Sequence, residues 1–445
     1  MEIGVLKKSK IPLLIICAGL LCVSLNAQGI WSLQACIDTA FNRNISLHQE
    51  QLNSRINKVK LVQSKTGFLP NLNINDAHTL NYGTVYEPSV NQYFNSSISV
   101  NDISISSSVT LFNGFLLLNT VRQNKLIYEA GMLDVEQLKI DIMLDVLAGY
   151  MQVLMDYEAI DVAQAQMEET DIQVKQTQKF VDFGKLAELS LLQIKSQYAA
   201  EKLIKVVAEN QLQLDKLTLL QLMDVPVRRD FDIARQELKD LFPEIPMSPG
   251  EIDKISEGFL PEIKSASLKT NASVFSLKMN QSGWFPKLML NGSLTSFLSN
   301  LDHDPVPYQF ANNFGQTVGL TLSVPIFNNL QVRSSVAISK INLSGAQLNE
   351  QQTKNDLRKT IETAYTNMVS AGKNLTVTEE QMELEKRTYS EMATKYSVGA
   401  VDATDFLVEK NNYDKVSMTL IQTKYNYVLT AKIVDFYLGK PITNN

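Results

Sequence analysis

Cysteine is almost missing from this chain. Of three in 445 residues, Cys17 and Cys22 lie in an N-terminal leader, so export would leave Cys36 alone. No intramolecular disulfide is then possible, and packing must hold the exported protein together. Proline is absent between Pro88 and Pro226 and again between Pro325 and Pro441, which leaves both stretches free to run as unbroken helix. Past the leader no stretch approaches the ~18 consecutive apolar residues of a membrane-spanning helix. A basic excess is lacking too: the formal net charge is −6, which argues against a nucleic-acid partner. The three histidines, His48, His78 and His303, stand far apart in the chain. No zinc-ligand spacing, P-loop, G-x-S-x-G or H-E-x-x-H motif is present. Neither an enzyme nor a cofactor or metal site is expected. Cys36, at an apolar helical position, reads as core packing.

These absences do not exclude a membrane. Charged residues make up 20% and the mean hydropathy is −0.08, values that suit a soluble domain and an alternating β-barrel equally. The leader is clear: Lys7, Lys8 and Lys10 precede the apolar run Ile11 to Val23, and Leu25-Asn26-Ala27 offers a cleavage site. Residues 1–27 therefore read as a secretory signal peptide.

The chain then repeats itself. "GFLPNLNIN" from Gly67 answers to "GWFPKLMLN" from Gly283, and "VTLFNG" (Val109 to Gly114) to "VPIFNN" (Val324 to Asn329). "VDFGKLAELS" from Val181 answers to "YSVGAVDATD" from Tyr396, and "LMDVP" to "LGKP". Four pairs in one order at nearly constant separation define an internal repeat. Residues 28–223 form the first unit and 259–445 the second with a short tail. A linker, 224–258, joins them and is rich in proline.

Each unit reads as helix, strand, loop, strand, very long helix, tight turn, helix. Trp31 to Lys65 carries Leu33, Ile37, Ala40 and Phe41 at helical spacing, closed by Thr66-Gly67 and Pro70. Asn71 to Tyr82 and Ile98 to Phe112 alternate as strands. A slip of one residue at Asn101-Asp102 predicts a bulge there. In the second unit Leu288, Leu290, Leu294 and Leu298 share one strand face. Phe314, Gln316, Val318, Leu320, Leu322, Val324 and Ile326 share another, with Gly315, Thr317, Gly319, Thr321 and Ser323 opposite. Strands of about 10–14 residues are long for a globular sheet and right for tilted transmembrane strands. Tyr82, Tyr86, Tyr93, Phe94, Tyr308, Phe310 and Phe314 lie toward the hairpin loops, where an interfacial aromatic girdle would stand.

The helices set the scale. About Phe115 to Val181 and Leu330 to Lys395 are roughly 66 residues each, on the order of 100 Å at ~1.5 Å per residue. The returning helices, Glu188 to Met223 and Ala403 to Leu438, are half as long. Stacked end to end with the helix that opens each unit, they make up the difference. Four ~100 Å columns per chain follow. Four strands, however, cannot close a barrel, and an open edge in lipid leaves unpaired backbone groups costing several kcal/mol each. With columns ~10 Å apart, three copies enclose a bore of roughly 25–30 Å and two copies only about 15 Å. A hollow trimer is the economical closure.

With "WSLQACIDTAFNRN", "GFLPNL", "GWFPKL", "LFNG", "PIFNN" and "YSVGAVDATDFL" in this order, the chain resembles the TolC-like outer membrane efflux protein family over essentially its whole mature length. The resemblance implies a mainly α fold with a β part: a long periplasmic α-helical barrel joined to a transmembrane β-barrel of four strands per chain, twelve in a homotrimer. It implies residence in the outer membrane of a Gram-negative bacterium, in contact with its lipid and reaching into the periplasm. A periplasmic adaptor and an inner-membrane transporter are the implied partners, and the linker becomes an equatorial belt. Pro70 and Pro286 become the hinges from helical column to strand.

Residue by residue, the turns Phe183, Gly184, Lys185, Leu186 and Val398, Gly399, Ala400, Val401 become adaptor-docking tips. Asp405 matches the first of two aspartates at a periplasmic constriction. The second falls at Val408, so Asp402 or Glu409, on the same helical face, could substitute. Tyr396 matches a tyrosine of the closing network, whose basic partner falls at Val401. The implied function is a passive exit duct for small molecules such as drugs. A type I protein-secretion duct keeps the same fold. A periplasmic coiled-coil adaptor without a pore is the alternative from another class.

Overall fold

The computed structural model describes residues 30–87, 91–228, 230–235 and 247–442; the predicted signal peptide, and Pro243 and Pro246 of the linker, lie outside the described residues. The first half opens with β1 (Ile30–Trp31), α1 (Leu33–Arg43) and α2 (Ile45–Thr66), continues through β2 (Asn73–Glu87) and β3 (Gln92–Asn113), runs down α3 (Leu116–Asp182) and returns along α4 (Glu188–Leu222). β4 (Asp232–Ile233) pairs in parallel with β1. The second half runs α5 (Pro249–Phe259), α6 (Pro261–Gln281), β5 (Lys287–Ser299), α7 (Val306–Asn312), β6 (Gly315–Ser323), α8 (Gln331–Ser397) and α9 (Ala403–Tyr437).

α3 and α8 are 67 residues each. α1, α2 and α4 together match α3 to within one residue, and α5, α6 and α9 match α8. The helix expected over Trp31 to Lys65 is, however, split. Asn44 closes α1 with its N–H on the Ala40 carbonyl, and its side chain caps α2 by accepting from Leu47 N–H at 3.0 Å. One residue does both jobs, the first with its backbone and the second with its short amide side chain. The second unit splits likewise at Leu260, with Pro261 in the first helical position, where its missing N–H costs nothing. α5 therefore stands for α1, inside the stretch read as linker.

α2 and α4 flank α3 on one side, while α6 and α9 lie between α3 and α8. The main core sits where α1, α5 and the β1–β4 pair wrap the middle of the long helices, around Cys36, Tyr150, Leu219, Phe231, Ile252 and Leu260. Each leucine, isoleucine or phenylalanine among them contributes about 1.5–3 kcal/mol by burial. Tyr150 ties the wrap down, donating its hydroxyl to the Ala234 carbonyl at 2.8 Å.

The four long strands form one antiparallel sheet in the order β2-β3-β5-β6. Its register aligns Ile74 with Ile105, Ile105 with Leu294, Val109 with Leu290, Leu290 with Leu320 and Leu288 with Leu322. One face is thereby apolar. The opposite face aligns Asn75 with Ser104, Ser104 with Thr295, and Ser293 with Thr317.

Two strand expectations change. The ladder runs unbroken through Asn101-Asp102, and the register shift falls instead between Thr110 and Phe112. Polarity slips at Asn101 because β5 ends against Val100; beyond it β2 and β3 continue alone as a projecting hairpin. Tyr82, Tyr86 and Tyr93 stand on that hairpin, with Tyr86 and Tyr93 in ring contact at 5.2 Å. The side chain of Phe94 lies outside the described residues. Finally, β6 stops at Ser323, so Val324 and Ile326 lie past the strand. At the helix-facing end of the sheet, Phe68, Leu69, Trp284 and Phe285 are all exposed, beside Pro70 and Pro286.

Candidate functional site

Three features of this chain are unfinished as a single copy: its two lateral margins, its helical tips and an acidic stripe. The margins are open in sheet and helices alike. β2 and β6 are the edge strands, each with its outer edge unpaired among the described residues. Exposed large apolar side chains concentrate on the outermost helices: Leu52, Ile56 and Val59 on α2, Leu203, Val207 and Leu214 on α4, Ile341 and Leu348 on α8. No such residue lies on α6, which sits between two neighbours.

The tips are two matching turns. Gly184 (φ 68) and Gly399 (φ 77) adopt the left-handed conformation that ends α3 and α8. An added Cβ would meet nothing within 4 Å at either, so backbone conformation alone demands glycine. Lys185 N–H closes the first turn on the Phe180 carbonyl at 2.8 Å, and Ala400 N–H closes the second on Lys395 at 2.9 Å. Phe183 and Val398 are about three-quarters exposed (76% and 75%). Lys185, Gly184, Gly399 and Ala400 are exposed as well, whereas Leu186 and Val401 turn inward against Ile194, Tyr396 and Phe406.

Just past the second turn Asp402 caps α9, accepting from Asp405 N–H at 2.9 Å. Asp402 and Asp405 are exposed and Glu409 is half-exposed. None of the three has an ion-pair partner among the described residues. Tyr396 does not share their surface. It is 2% exposed, stacks on Phe406 at 4.7 Å and 12°, and its hydroxyl meets Thr177 Oγ1 at 2.9 Å. It is an internal tie between α8 and α3.

That tie belongs to a network which the sequence reading missed. Gln193 donates to Thr404 at 3.2 Å and Gln197 to Asn411 at 2.7 Å. The Tyr389 hydroxyl donates to Glu169 at 2.8 Å. At its centre Lys410, fully buried, reaches Glu201 at 2.9 Å and Asp414 at 2.6 Å. The first hairpin, α3–α4, is thereby laced to the second, α8–α9. A signal existed: Ala403, Phe406, Lys410 and Asp414 share the buried face of α9, so two opposite charges interrupt an apolar stripe at i, i+4 spacing.

A second cluster of acids lies nearer the middle of the long helices. Asp156 of α3 sits beside Asp215 of α4, with Gln152 Nε2 donating to both at 3.2 and 3.4 Å. Burial, then the adjacent Asp215 carboxyl, push Asp156 up to about 7. A carboxyl raised on folding stabilises fully below its unfolded value, near 3.8, and loses that contribution as pH rises through about 7. Asp156→Asn, neutral at every pH, is expected to raise the thermal midpoint by about 2–4 °C at pH 8. It should give no gain at pH 4, both read by far-UV circular dichroism.

A model of the outer membrane efflux protein family matches residues 36–224 and 260–440, most of the chain and both halves. The chain belongs to that family. It is 22% identical to outer membrane protein TolC of Escherichia coli over 304 residues, 67% of this chain and 61% of TolC. It is 23% identical to toxin and drug export protein A of Aggregatibacter actinomycetemcomitans over 39% of this chain and 37% of that protein. The chain thus spans less than two thirds of the length of these relatives. In fold it superposes on a CusC crystal structure with a TM-score of 0.81 at 15% identity, covering 92% of each chain. On the Campylobacter jejuni CmeC outer membrane channel the TM-score is 0.75 at 16% identity, covering 93% of this chain and 87% of that one. As an outer membrane efflux protein, the chain carries its sheet in the outer membrane and its helices in the periplasm. A poreless periplasmic adaptor is set aside by the family and by the four-stranded sheet.

Proposed function

We propose that three copies close around a common axis into the passive outer-membrane exit duct of a tripartite efflux system exporting small molecules. The observation that carries this reading is the coincidence of open margins. Unpaired strand edges and exposed apolar helix stripes lie on the same two sides of one chain, so a single head-to-tail contact repeated around a ring would satisfy both. The apolar sheet face would meet lipid, and the face of Asn, Ser and Thr would line the water-filled barrel. The tips, with Phe183 and Val398 uncovered, would receive a periplasmic adaptor that links the duct to an inner-membrane transporter. The mass of the detergent-solubilised protein by light scattering tests the ring. Three chains support it; a monomer that conducts nothing in planar bilayers overturns it.

Within that duct Asp405 becomes a ring of three carboxylates at the tip end, where like charges repel and attract cations. Asp405→Asn removes the charge at nearly constant volume. The expected result in planar bilayers is a weaker cation preference and weaker block by a trivalent cation, with folding unchanged because the side chain is exposed. Asp402→Asn and Glu409→Gln are the comparisons, since a small rotation of α9 would put one of them in the ring. Unchanged selectivity in all three variants would mean that the stripe faces outward.

A further inference from the structure

The helix segments that abut the sheet contain no aspartate or glutamate. Over 51–66 of α2, 116–128 of α3, 263–281 of α6 and 331–349 of α8 there are eleven lysines and arginines and no acid, in a chain whose net charge is −6. Of the eleven, Lys125 pairs with Glu129 at 3.7 Å and Lys269 with Asp134 at 2.8 Å. The other nine have no acidic partner among the described residues.

Five lie closest to the sheet: Lys60, Lys65, Arg122, Lys278 and Arg333, all exposed. At ~1.5 Å per residue each is within about 10 Å of the helix-to-strand junction, roughly one Debye length. Arg122 and Lys278 gather over the same Phe275 ring, at 5.8 and 4.9 Å. On the membrane side of this zone stand the exposed Phe68, Leu69, Trp284 and Phe285. Cations held this close without counter-charge repel one another, and the segregation appears in all four columns, so no single helix accounts for it. Aromatic side chains at a membrane boundary sit at headgroup depth. The cations just below them therefore meet whatever charge the headgroups carry.

We propose that this collar binds anionic phospholipid headgroups in the leaflet on the helical side of the membrane. The inference rests on the outer-membrane placement of the sheet. It names the lipid that the duct gathers around itself.

Trp284 reports on the site. In a Trp31→Phe background it is the sole tryptophan. The full-length protein is reconstituted in phosphatidylcholine vesicles holding a small fraction of brominated phosphatidylglycerol or, separately, brominated phosphatidylcholine. Quenching of Trp284 then measures the relative affinity for each lipid. Phosphatidylglycerol should be favoured about tenfold at low salt and about equally with phosphatidylcholine at 0.5 M salt, because screening removes the attraction. Replacing all five cations with glutamine should abolish the preference while quenching by both lipids persists. Equal quenching by both lipids in the wild-type background overturns the collar, since Trp284 is then in the bilayer without charge selection. A preference that survives high salt, or survives the five glutamines, overturns it too. No quenching by either lipid would overturn the membrane placement itself.

Discussion

Lys410→Met is expected to destabilise the helical part by about 3–5 kcal/mol, the range for breaking a buried ion pair by removing one partner. Lys410 is fully buried between Glu201 and Asp414. Burial alone would lower its pKa, but the attraction of Asp414 and Glu201 outweighs that and holds it above the ordinary lysine value. Take away the ammonium and two carboxylates remain in a dry interface, each with an oxygen that already lacks a hydrogen-bond partner. The penalty must depend on pH. Burial pushes Asp414 up to about 6 even with Lys410 attached. A raised carboxyl contributes stability that is present at low pH and lost as pH rises through the folded value. Without Lys410 that window moves higher, so the loss should be small at pH 5 and full at pH 8. Thermal unfolding in detergent, followed by far-UV circular dichroism at both values, measures it. Adding Glu201→Gln and Asp414→Asn to Lys410→Met should recover most of the loss, since the charges needing compensation are gone. An equal loss at both pH values would show that Lys410 acts through packing rather than charge.

This triad also marks the limit of what could be read from the sequence. The 67-residue helices were legible because two conditions coincide: a proline-free stretch and a glycine at the point where the turn must be left-handed. The strand faces of the second unit were legible because Leu288, Leu290 and Leu294 share one parity of their strand, as Val318, Leu320 and Leu322 do of theirs. The breaks at Asn44 and Leu260 were not. Asparagine mid-pattern is only a weak interruption, and the cap appears when its side chain and backbone are seen to serve two helices. The bulge was misplaced because a polarity slip has two causes, an extra residue or a change of surroundings, and Asn101 marks the second. At the candidate site, Asp402 and Asp405 stand on the surface that their spacing predicts. Tyr396, singled out by resemblance alone, is inside. Its partner Thr177 lies more than two hundred residues away in the chain, and so does Glu201 from Lys410. Helical periodicity says which side of a helix is buried, not which side of another helix it meets.

The sheet carries the other large effect. Leu320→Arg or Leu322→Arg should cost about 2–4 kcal/mol, the range for a cation on the lipid face near the bilayer midplane. Thr321→Arg should cost much less. Leu320 is paired with Leu290 and Leu322 with Leu288, and both leucines are about two-thirds exposed in the single chain (66% and 64%). Nothing among the described residues covers them, and an exposed apolar row of this kind is stable only against another apolar phase. Thr321 is paired with Met289 and points to the opposite face, among Asn291, Thr317 and Ser293. An arginine there would reach water inside a barrel. The amount of folded protein recovered from outer membranes, compared across the three variants, separates the two faces. Equal losses would refute the assignment of the leucines to lipid, since a soluble hairpin packed on helices suffers from charge at any buried position. Equal tolerance would refute the membrane itself, because water on both faces would accept all three arginines.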